Sequence, residues 1–424
     1  MIEKFKIKNS KLNVLVSILL LLLRSAKVWQ HDCHSRLSGL SFRLVRNHSA
    51  IPDKQEGCWT SQHDSMKREC RQAAMTKRHA HVFLLMTVLV AISACSPQKE
   101  KVYRKSKVLM DTLITISVVS GSGDKAEKAI GMAFSEIEKL DRLLNFFSDS
   151  SEVSEINRNA GLKAVAVSPE TFEVIEKAIY ASGKTNGAFD VTIGSVTTLW
   201  DFHKQIKPED KKIKERLPLV NYKNIILNKK SSSVYLKKTG MLIDLGGIAK
   251  GYAADKAVDA LKRKGIKSGL VSISGDIKAF GLKPDSKPWK IGIRNPRSEN
   301  KEDEIMATIE MTDMAISTSG DYERYFIIEG KRYHHILNPK TGYSVDECRS
   351  VSIIAKDGSV TDPFSTGIFI LGAEKGIKLL EEMEIDGIIV DKNGKIHTTP
   401  NLRGKLEIIG DSSTTHGQRR KKTN

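Results

Sequence analysis

The chain is poor in cysteine, in aromatic residues and in long apolar runs. It has five cysteines in 424 residues, and Cys33, Cys58 and Cys70 all lie upstream of an export-type segment, which leaves Cys95 and Cys348 for the rest. Two thiols make neither a disulfide framework nor a cysteine-rich zinc module, so an ordinary apolar core has to hold the fold together. Aromatics are 6% of the chain. No basic stripe with interleaved aromatics is present, which argues against a nucleic-acid surface. The apolar runs at 14–23 and 82–91 fall well short of the roughly 20 residues of a membrane-spanning helix. A full GxGxxG, a P-loop, histidines three or four apart as in zinc enzymes, and a repeat of fixed period are also missing.

The N-terminal region is the first positive feature. From Met75 it reads MTKRHAHVFLLMTVLVAISACS: basic Lys77 and Arg78, an apolar stretch from Val82 to Ala91, and Ile92-Ser93-Ala94 before Cys95. This is the pattern of a lipoprotein signal, with Cys95 as the lipidated residue and a chain anchored to the periplasmic face of a membrane, the inner membrane being favoured. Residues 1–74 lie upstream of this signal, WQHDCHSRLSGLSFRLVRNHSA within them has neither helical nor strand periodicity, and Met75 is the expected start. Cleavage within the run at 14–23 would strand the second signal inside the mature chain. The expected layout is a signal at 75–94, a polar linker at 95–107, a folded domain at 108–410 and a basic tail at 411–424. The first 94 residues hold 15 of the 68 basic and 6 of the 50 acidic residues, so the remainder is net +9, against +18 for the whole chain. Such a surface suits an anionic ligand or a membrane face.

Within the domain, LMDTLITISVV alternates like a half-buried strand. AEKAIGMAFSEIEKLDRLLNFF sets Ile130, Phe134, Ile137, Leu140 and Leu144 on one helical face. Ser168 and Pro169 open another helix. Residues 203–222 are charged and contain proline, as a surface excursion would. SSVYLKK, MLIDLGG, LVSISGDIKAFG, WKIGIRNP, MATIEMTDMAISTSG, YERYFIIEG and SVSIIAK are strand-like, and Asn393-Gly394 marks a hairpin turn. This irregular alternation with many hairpins predicts an α+β fold of mixed or antiparallel sheets with packed helices, not a doubly wound parallel sheet.

Four stretches carry chemistry. In IDLGGIAKGYAAD a strand ends at Asp244, two glycines turn, and a helix opens with Lys250 in its first turn; free N–H groups there suit a phosphate, or the stretch is a tight turn with a solvated lysine. In TDPFSTGIFILG, Asp362 precedes Pro363 and so caps a helix, with Thr366 one turn on. The pair is either an ordinary cap or two hard oxygen ligands of the kind that suit Mg²⁺. In GAFD, Phe189 is available to stack on a ring system and Asp190 to accept a hydrogen bond from it, or the two are a core residue and a turn residue. In HHILNPKTGY, adjacent histidines on an extended segment point to opposite sides, so at most one faces a site, as a base or a phosphate contact.

MDT, LLNFFSDSSEVSEIN, GAFDVT, DLGGIAKGYAAD, SISGDI, STSGDYERY, HHILNPKTG and DPFSTGIFILG occur in this order over about 270 residues. In this ordered set the chain resembles the ApbE family of FAD:protein FMN transferases, and the match spans nearly the whole mature chain. The resemblance implies an ApbE-like, T-fold-related architecture, with Mg²⁺ held by Asp362, Thr366 and backbone oxygens of Ser365 and Gly247. It implies FAD as substrate, lying against Met110, Phe146, Ala188, Phe189, Asp190, Asp244, Lys250 and Ile336, and His335 as the catalytic residue. As a general base with an ordinary imidazole, His335 would lose activity below about pH 6 as it protonates. The acceptor implied is a Thr or Ser hydroxyl on a membrane redox subunit, with AMP released. An FAD pyrophosphatase and a non-catalytic flavin-binding lipoprotein are the alternatives. The chain departs from the family where M-G-T is usual and Met110-Asp111-Thr112 stands, and at Pro363 and Phe364, where smaller residues are usual.

Replacing Cys95 with alanine is expected to free the protein from the membrane fraction or to leave the precursor uncleaved, because a lipid is the anchor in this layout. Fractionation with mass spectrometry of the N-terminus reads both. Normal processing with unchanged membrane retention would remove the anchor.

Overall fold

The computed structural model describes residues 99–297 and 304–409, with isolated positions between 68 and 83. The layout expected for residues 1–94, Cys95 and the tail from 411 falls outside the described residues, those positions apart. The chain divides into Met1–Ser96 and Pro97–Asn424, and the fold below is that of the second unit.

In chain order, β1 (Lys101–Leu109) and β2 (Thr112–Ser120) form a hairpin. Then come α1 (Gly123–Leu144), α2 (Glu152–Arg158), β3 (Val165–Ala166), α3 (Pro169–Lys184), α4 (Gly194–Thr197), α5 (Asp210–Arg216), β4 (Ile225–Asn228) and β5 (Ser233–Leu236). After α6 (Ala249–Arg263) run β6 (Gly269–Ile273), β7 (Asp276–Phe280), β8 (Trp289–Arg294), β9 (Ile305–Met311), β10 (Met314–Gly320), β11 (Tyr325–Ile328), β12 (Lys331–His334) and β13 (Cys348–Ala355). The last elements are α7 (Gly358–Leu371), α8 (Ala373–Glu382), β14 (Asp386–Asp391), β15 (Ile396–Thr398) and β16 (Leu406–Ile408).

The centre is an eight-stranded sheet in the order β1-β2-β6-β7-β10-β13-β14-β15, antiparallel throughout. Both faces of its central strands are covered, while the edge strand β1 is largely exposed. Ile114, Ile116, Val118, Val351, Ile353 and Ile389 enter the core shared with α1, α6, α7 and α8. Val119, Ile316, Ile354 and Ile388 point the other way, to the small sheet β16-β9-β8 with Trp289, Ile291 and Ile309. Burial on both sides explains near-continuous apolar strands such as Val351–Ile354, where a one-sided sheet would alternate. The fold is α+β in three layers. A third cluster, around Trp200, Ile213, Phe326, Tyr333 and Leu337, forms an aromatic lobe beside the β11–β12 hairpin.

Several local expectations change. The linker reading of 95–107 ends at Lys101, because β1 pairs with β2 in unbroken register from Lys101↔Ser120 to Leu109↔Thr112. The two residues between them, Met110 and Asp111, sit at φ 53° and 55°, a turn that matches the twist of the strands and in which aspartate is tolerated in place of glycine. Residues 203–222 are not a free excursion, since α5 buries Ile213 in the aromatic lobe. MLIDLGG is not a strand; Ile193↔Leu242 is an isolated bridge.

Asp362 does not cap α7, which begins four residues earlier at Gly358 with Pro363 inside it. The cap comes from another helix: Asp255 of α6 accepts from Gly358 N (2.8 Å) and Ser359 N (2.9 Å). Asp362 in turn accepts from Gly251 N in the first turn of α6 at 3.0 Å. The two helices touch through glycine: a Cβ on Gly251 would lie 2.1 Å from the Gly358 carbonyl oxygen, and one on Gly358 2.4 Å from that of Gly251.

Gly251→Ala is therefore expected to cost about 1–3 kcal/mol by overpacking. Gly131, inside α1 with nothing within 4 Å of a Cβ, should stabilise by up to about 1 kcal/mol as alanine. Opposite shifts of the denaturant midpoint would show that the first glycine serves contact and the second does not.

Candidate active site

The α6–α7 contact brings three charged groups together. The Lys250 ammonium, in the first turn of α6, is 3.1 Å from Asp276 Oδ2 and 3.6 Å from Asp362 Oδ1, and it donates to Gly246 O at 3.3 Å. Asp276 is the first residue of β7, delivered by a two-residue turn with Ser274 at φ 47° and Gly275 at φ 89°. Both carboxylates are buried. Burial and the neighbouring Asp276 push Asp362 well above the usual carboxylate range, against the pull of Lys250 and the Gly251 N–H. Burial works against the charge on Lys250, but Asp276 and Asp362 outweigh it and hold the ammonium above its usual range. Asp276 escaped the sequence reading. SISGDI was visible, but its hairpin turn gave no sign that the carboxylate points inward at a lysine.

Thr366 lies one turn beyond Asp362, and its hydroxyl shares Ser319 Oγ (3.2 Å) with that of Ser365 (2.8 Å). Gly247 lies against it, since a Cβ there would stand 3.6 Å from Thr366 Oγ1 and 3.0 Å from the Phe189 ring. Asp244 N donates to Val191 O at 2.7 Å. Asp244 Oδ1 accepts from Gly246 N at 2.9 Å, and burial raises its pKa. At the N-terminus of α6, Ala249 N is already bonded to Leu245 O and Gly251 N to Asp362, so fewer N–H groups are left for a phosphate than expected.

The GAFD loop supports this centre from behind. Phe189 and Ala188 are buried, Phe189 beneath Gly247 and Gly367. Asp190 does not present itself to a ligand: Oδ1 takes Thr192 N (2.9 Å) and Thr192 Oγ1 (2.6 Å), and Oδ2 takes Tyr222 N (2.9 Å). Its role is to fold the loop, and burial lifts its pKa despite these donors. Met110 and Phe146 gather at the end of α1, where Met110 N donates to Asp141 Oδ2 at 3.2 Å and Phe146 O accepts from Ser154 Oγ at 3.2 Å. Asn157 of α2 then clamps both the N–H (2.7 Å) and the carbonyl (3.0 Å) of Ile243, next to Asp244.

The two histidines separate cleanly. His334, on β12, is buried, with Nε2 2.7 Å from Val345 O, Nδ1 accepting from Ile336 N at 3.3 Å, and its ring edge-on to Phe369. Both nitrogens are engaged, as in the neutral Nε2–H tautomer. His335 is half-buried, and its Nδ1 is sequestered from solvent with no hydrogen-bond partner. Burial, with help from the Arg324 guanidinium, pushes its pKa down to about 3. Ile336 points into the main core.

The ApbE family model matches residues 110–389. The chain belongs to the ApbE family. A protein of Klebsiella pneumoniae named FAD:protein FMN transferase is 36% identical over 300 residues, which is 70% of this chain and 91% of the relative. One of the same name from Treponema pallidum is 28% identical over 345 residues, 77% of this chain and 95% of that one. Among solved structures, the ApbE protein of Thermotoga maritima superposes with a TM-score of 0.67 at 33% identity, covering 72% of this chain and 99% of that one. The flavin transferase ApbE of Vibrio cholerae gives 0.64 at 27%, with 72% and 99% covered.

Membership raises the question of a metal, and the cluster fits a hard cation. Two buried carboxylates face one ammonium, Thr366 adds a hydroxyl, and the missing Cβ of Gly247 leaves backbone close to that hydroxyl. Among the described residues no group of three His, Cys, Asp or Glu has metal-binding geometry, so a cation here would take most of its shell from hydroxyl, backbone, water or ligand oxygens, the habit of Mg²⁺.

The loss of activity expected below pH 6 does not follow from this geometry, because His335 stays neutral down to about pH 3. In the unfolded chain it protonates near pH 6.5. Its contribution to stability is thus complete above about pH 6.5 and is lost as pH falls toward 3, where the unfolded state binds a proton that the folded state does not. NMR titration should show no imidazole inflection for His335 between pH 5 and 8. A midpoint near 6.5 would contradict its burial.

Proposed function

We propose that the protein transfers the FMN moiety of FAD to a Thr or Ser hydroxyl of an acceptor protein, with Mg²⁺ bound and AMP released. The observation that carries this is the Lys250/Asp276/Asp362 cluster with the half-buried, neutral imidazole of His335 within electrostatic reach of its lysine. A neutral imidazole near fixed charges can take up a proton during phosphoryl transfer. The names of the relatives point the same way. The acceptor class is a membrane redox subunit, met at the periplasmic face where Cys95 would anchor the enzyme.

The His335 imidazole takes the acceptor hydroxyl proton as the oxygen attacks the FMN-side phosphorus. The P–O bond to the bridging oxygen breaks, and the electron pair leaves with AMP. Lys250 offsets charge on the diphosphate. Asp244 and the Gly246–Gly247 turn, fixed by Asn157 and seated on Phe189, hold the approach to it. Mg²⁺, held by Asp362, Thr366 and the backbone oxygens of Gly247 and Ser365, supplies neutralisation of the diphosphate when bound. Ser319 sets the Thr366 hydroxyl, and Gly251 N–H sets the Asp362 carboxylate.

The test is incubation with FAD, Mg²⁺ and a candidate acceptor, followed by flavin fluorescence of the denatured acceptor band. Asp362→Ala or EDTA should lower transfer by about 10²-fold or more. His335→Ala should lose on the order of 10²–10⁴ in rate with FAD affinity little changed. His334→Ala should instead lower thermal stability, because its ring fills the core beside Phe369. Free FMN with an unlabelled acceptor would mark a hydrolase, and full activity in EDTA would dismiss the metal.

A further inference from the structure

The β11–β12 hairpin ends beside the site, and its register makes a second residue His335's direct neighbour. Tyr325 pairs with His334, and the ladder continues one step, with His335 N donating to Arg324 O at 3.1 Å. Residues directly opposite in an antiparallel pair send their side chains to the same side, with Cβ atoms about 4.5–5.5 Å apart. Two positions along, Phe326 and Tyr333 share that side with rings 5.6 Å apart, stacked into the aromatic lobe. The hairpin is therefore anchored by one pair and presents Arg324 and His335 with the next.

Arg324 differs from the arginines around it. Arg297 forks onto Asp321. Arg294 lies over Tyr322 and near Glu323. Arg332 covers Tyr325 at 3.9 Å, and Arg349 donates to Lys392 O. Arg324 is exposed, and among the described residues nothing hydrogen-bonds or ion-pairs its guanidinium. Its charge nevertheless acts on Asp244, Lys250 and His335, three site groups from separate stretches of chain.

We propose that Arg324 is a further catalytic residue, whose guanidinium grips the diphosphate of FAD at the phosphoryl group being transferred. The proposal rests on the transfer reading above. As the acceptor O–P bond forms and the bridging P–O bond breaks, the hydroxyl proton goes to His335 and the electron pair to AMP, so negative charge builds on the equatorial and bridging oxygens. Lys250 meets that charge as a point, whereas a planar guanidinium meets two oxygens at once. Burial, with this cation beside it, keeps the His335 imidazole unprotonated.

Arg324→Ala and Arg324→Lys in the full chain, assayed by single-turnover FMN transfer and by FAD binding from flavin fluorescence, test this. The alanine variant should keep its Tm and lose on the order of 10²–10³ in kcat, with FAD binding changed far less. Lysine should recover only part of the loss, and added guanidinium ion should partly rescue alanine. An active wild type matched by Arg324→Ala, or a loss confined to FAD binding, would overturn the proposal alone. A wild type that binds FAD but transfers no FMN would overturn the transfer reading, and this proposal with it.

Discussion

Two helices cap each other. Asp255 of α6 closes the N-terminus of α7, and Asp362 of α7 closes the first turn of α6, across a contact where only glycine fits. The macrodipole of each helix is thus matched by a carboxylate from its partner. The lysine and one of its two carboxylates follow from this exchange. It fixes Asp362 beside Lys250, sets Thr366 one turn further on, and orients α7 so that Ser365 and Thr366 meet Ser319. Lys278, held between Asp255 and Asp357, braces the far side of the same joint.

The arrangement also explains a lysine between two carboxylates in a place where free N–H groups were expected. A helix N-terminus attracts an anion, and here the anion is part of the protein. The ligand's negative charge then has to be met by side chains and a cation. That division of labour gives Lys250, Arg324 and a metal distinct tasks that a phosphate seated on the helix itself would have made redundant.

Much of the fold was legible where period and burial agree. The inward face of α1 and the Ser168–Pro169 start of α3 are local consequences of sequence, and they appear as expected; the half-buried alternation expected of β2 does not hold, since Ile116 to Ser120 are buried on both faces. What stayed hidden depends on contacts between distant segments. Pro363 implied a helix start at Asp362, because nothing local announces that Asp255, 103 residues earlier, caps Gly358. Asp190 looked free to meet a ligand, because its partners Thr192 and Tyr222 come together only when the loop closes. Asp276 and Arg324 lay within quoted motifs, yet the direction of a side chain comes from register, which a single strand does not reveal.

The stretch after His335 is tied at its base. Ser344 Oγ accepts from His334 N and donates to His334 O, Leu337 bridges Ser344, and Trp200 Nε1 grips Gly342 O. The segment between is held as well: Asn338 O accepts from Gly342 N at 2.7 Å, Asn338 N donates to Tyr343 O at 2.8 Å, and Asn338 Oδ1 accepts from Lys340 N at 2.9 Å. The turn is thus a self-bonded knot with Pro339 buried in it. The imidazole of His335 therefore stands at the foot of a rigid turn, and an insertion at 338–341 would have to break bonds that the base alone does not replace.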